Sequence, residues 1–136
     1  MPPNVEYTVD KEQFIGIINA YNHKTTYNSS YSGVDGWTSN HISVNFTGAK
    51  GEIIAIFAGH VHWDTIDTET MSCPIITVIS AGSSINESEV PNDAVIPVRT
   101  FGTDTETSFD IVTINKCSRK IYCTRIGAGN NREIDY

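Results

Sequence analysis

Apolar positions change their spacing several times along the chain, and each change marks an expected element. Phe14, Ile17, Ile18 and Tyr21 recur at helical spacing behind Thr8 and Asp10, either of which can cap a helix, and Asp10 with Gln13 has the spacing of a capping box. The pattern predicts an amphipathic helix over residues 11–22 that packs on a sheet. Residues 23–41 are rich in Tyr, Ser, Thr and Gly without a clean period, and read as a long loop or loose hairpin. In residues 41–47, Ile42, Val44 and Phe46 alternate with Ser43 and Asn45, the pattern of a half-buried strand. Residues 48–51 turn the chain toward the next segment, which this strand can meet as an antiparallel neighbour.

That next segment, residues 52–64 (EIIAIFAGHVHWD), organises the chain. Ile53, Ile54, Ala55, Ile56, Phe57 and Ala58 have no polar alternation, so residues 53–58 are expected to form a strand covered on both faces. Gly59 frees the backbone after it. Residues two apart on an extended chain point the same way, so His60, His62 and Asp64 can face one cleft at the strand's carboxyl end, where open α/β sheets bind ligands. Residues 75–79 (IITVI) predict a second core strand. Residues 85–108 are polar and read as irregular, with a short strand around 95–99. Residues 109–115 and 120–126 are two β-rich runs separated by the length of a hairpin turn, and predict an antiparallel pair. The last ten residues carry no assignable pattern, and there is no internal repeat.

Composition narrows the function classes. A chain of 136 residues, 39% hydrophobic and 18% charged, suits one domain over residues 1–136 with a single core. No apolar run approaches the roughly 18 residues of a membrane span, and the amino end has no basic and apolar signal-peptide regions. No membrane partner is therefore expected. Nine Lys and Arg against sixteen Asp and Glu give a net charge of −7, which repels a phosphate backbone, so no nucleic-acid partner is expected. Cys73, Cys117 and Cys123 are odd in number and irregularly spaced; they make neither a disulfide framework nor a zinc ribbon, and read as free thiols in a reducing cytoplasm.

Two histidines separated by one residue are by themselves weak evidence for a metal, but their setting strengthens it. Neutral imidazole is a standard ligand for zinc, iron and manganese, and a glycine-led bend after a strand holds two of them convergent. Gly59-His60-Val61-His62, following IIAIFA, resembles the closing GHxH motif of the calcineurin-like metallophosphoesterases. The ending FDIVTINKCSRKIYCTRIGAG resembles the carboxyl end of that family's bacterial and prophage-associated members. The resemblance implies an α/β fold (α+β within this chain), half of a four-layer α/β/β/α sandwich, mostly strands with one amino-terminal helix and a carboxyl-terminal hairpin. It also implies that His60 and His62 each ligate one of two Mn, Fe or Zn ions in a hydrolase of phosphate mono- or diesters.

The family's earlier DxH, GDxxD and GNH(E/D) motifs do not occur in this sequence. The expectation is thus a carboxyl-terminal portion that supplies two ligands of a dinuclear site, holds no ion tightly by itself and is inactive alone. The runner-up is a non-catalytic, partner-binding β-rich module. With the amino-terminal half's sheet missing, strands apolar on both faces would be covered by a second copy, so a homodimer is expected. Asn22-His23 lacks a preceding glycine and sits at the end of the helical pattern, as a cap or surface pair. Asp64 shares the histidines' face but is expected to be an exposed loop carboxylate. Trp63 and Trp37 could stack a substrate ring, although partial burial at the core's rim is the commoner fate. Ser83 and Ser84 lack a GxSxG elbow, Asp104 and Glu106 make no acid/base pair, and His41 has a structural reading.

Overall fold

The computed structural model describes residues 11–30, 41–59, 63–78 and 94–136. Thr8, Asp10, Trp37, His60, His62, Ile79, Ser83 and Ser84, and the expectations attached to them, lie outside these residues.

Helix α1 spans Lys11–His23, matching the periodic stretch. It ends at Lys24, which adopts φ 57°, and two bonds close the turn: Lys24 N–H to the Tyr21 carbonyl (3.3 Å) and Thr25 N–H to the Ala20 carbonyl (3.0 Å). These are the paired bonds of a Schellman cap. The buried face differs from the expected one. Ile18 packs with Met71, Cys73 and Ile75, with Ile15 beside it, while Phe14 is exposed. The turn of the helix is set by polar anchors on that face. Asn19 accepts from the Ser72 amide (2.7 Å), and Asn22 both donates to the Ile53 carbonyl (2.8 Å) and accepts from the Ile53 amide (2.9 Å). Asn22 is thus a tie between helix and chain, not a surface residue, whereas His23 is exposed.

β1 (Thr26–Ser29) and β2 (Ile42–Asn45) form a two-stranded antiparallel sheet, so the hairpin reading of residues 23–41 holds for the described part. β2 pairs with β1 and not with the strand that follows it, contrary to expectation. The ring of Tyr27 lies against α1 at Gly16, where a Cβ would stand 2.2 Å from it.

The second sheet has the order β3 (Ile56–Ala58), β5 (Ile75–Thr77), β4 (Thr65–Asp67), with β3 parallel and β4 antiparallel to β5. The segment 53–58 is therefore not a strand covered on both faces. Among the described residues only its last three pair and they form an edge, and Phe57 is 45% exposed. Ile53, whose backbone Asn22 occupies, is bonded to the helix instead. The fully covered strand is β5, all of whose residues are buried. Ile75 faces the helix cluster, and Ile76, its neighbour on the pleat, faces the other way against Ile121, Cys123 and Ile134.

Those three residues belong to the third sheet, β6 (Ser108–Asn115), β7 (Lys120–Gly127) and β8 (Arg132–Asp135), all antiparallel in that order. The β6–β7 hairpin is the expected one. Gly127 ends it with φ 90°, and a Cβ there would meet the Thr107 carbonyl oxygen at 1.9 Å. The layers are thus helix, sheet, sheet, in a mixed α+β chain. The far face of β5, which a second copy was expected to cover, is covered by β7 and β8 of the same chain. Among the described residues no helix is long and apolar enough to cross a membrane, and the three cysteines are free, Cys73 and Cys123 being buried and Cys117 exposed. Burial pushes the thiols of Cys73 and Cys123 above their usual range.

Candidate functional site

Because β3 and β5 run parallel, their carboxyl ends share one edge of the sheet, and antiparallel β4 starts from that same edge, with Thr65 opposite Thr77. Gly59 follows β3 and Trp63 precedes β4, so the segment carrying His60 and His62 connects these two strand ends. The histidines themselves are outside the described residues. Trp63 is buried, more fully than the rim position expected of it, and its indole Nε1–H has no hydrogen-bond partner among the described residues.

Asp64 is where the structure departs most from the reading of the sequence. It is 5% exposed, not an exposed loop carboxylate. Its backbone bridges Val95 through two 3.0 Å bonds, which extends β4 by one residue and is the only pairing in the 95–99 stretch among the described residues. Its carboxylate receives Arg125 Nη2 at 2.7 and 2.8 Å. Arg125 also donates through Nε to Asp110 Oδ1 (2.6 Å) and through Nη1 to the Ala128 carbonyl (2.8 Å) and Ser108 Oγ (3.1 Å). Arg132 donates to Asp110 Oδ2 and, at 2.7 Å, to the Thr77 carbonyl, and lies 3.6 Å from Asp64.

Two arginines and two aspartates, drawn from β6, β7, β8 and the start of β4, therefore form a charge-balanced cluster between the sheets. Burial raises the Asp110 carboxyl, but the hydrogen bonds from Arg125 and Arg132 outweigh it and hold that carboxyl below its usual range. Burial works against the charged form of Arg125, yet Asp64 and Asp110 more than offset it and hold the guanidinium charged. Such a cluster fixes geometry. Arg125, Asp110 and Arg132 went unremarked in the sequence, although Asp110 and Arg125 are charged residues on the core-facing side of otherwise apolar strands.

Beside the cluster opens a cleft of about 380 Å³ lined by Asp64, Thr65, Ile66, Val95, Asn130 and Arg132. Thr65, in its lining, pairs its hydroxyl with that of buried Thr77 at 2.9 Å. Asp104 and Glu106 lie in an exposed turn, where Glu106 caps the Gly102 amide (2.9 Å), and His41 is exposed just ahead of β2. Among the described residues no three His, Cys, Asp or Glu side chains converge to hold a metal ion. Comparison with protein-family models, curated proteins and solved structures returns no match to this chain.

Proposed function

We propose that this chain is the carboxyl-terminal part of a calcineurin-like metallophosphoesterase and that His60 and His62 each ligate one ion of a dinuclear Mn, Fe or Zn centre. The observation that carries the reading is connectivity. GHVH joins the carboxyl end of β3, the strand parallel to β5, to the start of β4, the strand antiparallel to β5, at the end of the sheet where ligands bind in α/β folds. The helix, sheet, sheet layering supports it, since an α/β/β/α sandwich would contain layers in that order. Asp64, the carboxylate next in sequence, is occupied by Arg125 and adds no third ligand.

In the intact parent, a cytoplasmic hydrolase of phosphate mono- or diesters, His60 and His62 would help hold ions whose chemistry would be to activate a water for attack on phosphorus. This chain contributes the two imidazoles, and the cluster behind Asp64 anchors the strand that follows them. Alone it does not turn over ester. Zinc or manganese titration followed by NMR should perturb both His60 and His62 with micromolar or weaker affinity, without phosphoester hydrolysis above a His60→Ala, His62→Ala variant. A titration that moves neither imidazole overturns the proposal. The second reading, a non-catalytic partner-binding module, is favoured by the exposed apolar residues of β6.

A further inference from the structure

The third sheet has two unlike edges. β8 is four residues long, and its exposed Glu133 and Asp135 both pair with Lys120, so charge guards that edge. β6 is eight residues long and has no strand on its other side among the described residues. It contains no Lys, Arg or Pro, and its one ionisable group, Asp110, is turned inward and neutralised by Arg125 and Arg132. The strand itself thus carries no exposed charge and no proline against edge pairing, and its one inward-pointing charge is already paired within the chain. Beyond Ser108 and Asp110, which are covered on the core side, both of its faces carry exposed apolar residues. Phe109 and Ile111, on the outer face with Ile126, are 53% and 52% exposed, and Val112 and Ile114, on the core side beyond the reach of the second sheet, are 39% and 44% exposed.

A strand that fits this edge must be uncharged at its surface, comparably long and apolar on both sides. Among the described strands β6 itself meets that requirement: β4, β7 and β8 carry the partly or fully exposed charges of Asp67, Lys120, Glu133 and Asp135, and the uncharged β1, β2, β3 and β5 have only three or four residues and are already paired. We propose that β6 pairs antiparallel with β6 of a second copy, about a two-fold axis at Ile111, joining two three-stranded sheets into one of six strands. An antiparallel two-fold stands perpendicular to the sheet, so it keeps outer faces together and sets Ile111 opposite its own copy and Phe109 opposite Thr113.

This register leaves Asn115 free for the hairpin turn, whose Cys117 and Ser118 amides its side chain caps at 3.1 and 3.2 Å. It also runs an apolar stripe of Ile126, Phe109 and Ile111 across both copies. No like charges come face to face, since Asp110 meets Val112. The chain's net charge of −7 opposes association only at long range, so the dimer tightens as salt rises. This inference does not depend on the phosphoesterase reading.

Sedimentation equilibrium of the full chain tests it. The wild type is expected at twice the 15.0 kDa of one chain. Ile111→Glu and Ile111→Lys each place like charges directly opposite one another and should sediment as monomers with unchanged circular dichroism, while their equimolar mixture returns to twice the mass. Ile126→Glu, on the same face but one strand in from the edge, should leave the dimer intact. A wild-type monomer, a dimeric Ile111→Glu, or a mixture of the two Ile111 variants that stays monomeric would overturn the proposal.

Discussion

Replacing Arg125 by methionine removes the centre of the buried charge cluster while keeping most of the side chain's volume. The wild-type guanidinium makes charged bonds to Asp64 at 2.7 and 2.8 Å and to Asp110 at 2.6 Å, and the arginine and Asp110 side chains are each 1% exposed. Without it, both buried carboxylates lose their bonds to that guanidinium, while Arg132 still bonds Asp110 and lies 3.6 Å from Asp64. Removing one partner of a buried ion pair costs about 3–5 kcal/mol, because the remaining charge stays desolvated. At roughly 0.05–0.15 kcal/mol per residue, a chain of 136 residues holds about 7–20 kcal/mol in total, so the variant should remain folded with a clearly lower urea midpoint. Urea unfolding followed by circular dichroism at neutral pH measures the loss, with an unchanged m-value as the sign that stability alone has altered. Asp64→Asn in the Arg125→Met background should then cost less than in the wild type, since the ion pair it would break is already gone. A loss below about 1 kcal/mol for Arg125→Met would refute the argument, because such a value belongs to a solvated surface pair.

Two further outcomes follow from the same packing. The folded Asp110 carboxyl lies below its ordinary value, so the stability it contributes is fully present above the unfolded pKa of about 3.9 and is lost as the pH falls through the folded value. The wild-type urea midpoint should therefore fall on acidification through that window more steeply than that of Asp110→Asn. Asn22→Ala deletes both bonds to Ile53 and leaves a partly buried amide and carbonyl unpaired, at a cost of about 1–3 kcal/mol; amide exchange at Ile53 should accelerate more than exchange in β7, and equal protection there would sink the assigned role.

Local pattern determined those parts of the molecule whose bonds are local. Helix α1 was legible because its apolar spacing and its closing turn lie within one stretch of chain, and the β6–β7 hairpin was legible because its partners are joined by a short turn. β5 declared itself by being apolar at consecutive positions, which a strand needs only when both faces are covered. β4 and β8 were missed because strands of three and four residues carry too few positions for a period; they exist through pairing with β5 and β7. The same limit misled the reading of residues 53–58. An apolar run says that a segment meets other apolar groups, but whether it lies at the centre or the edge of a sheet depends on which strand arrives beside it, and among the described residues β5 is on one side and no strand is on the other. Asp64 is the sharpest case. From its neighbours it is a polar residue after a glycine-led bend, and its burial is decided by Arg125, 61 residues further on, whose fork replaces the water that the carboxylate gives up.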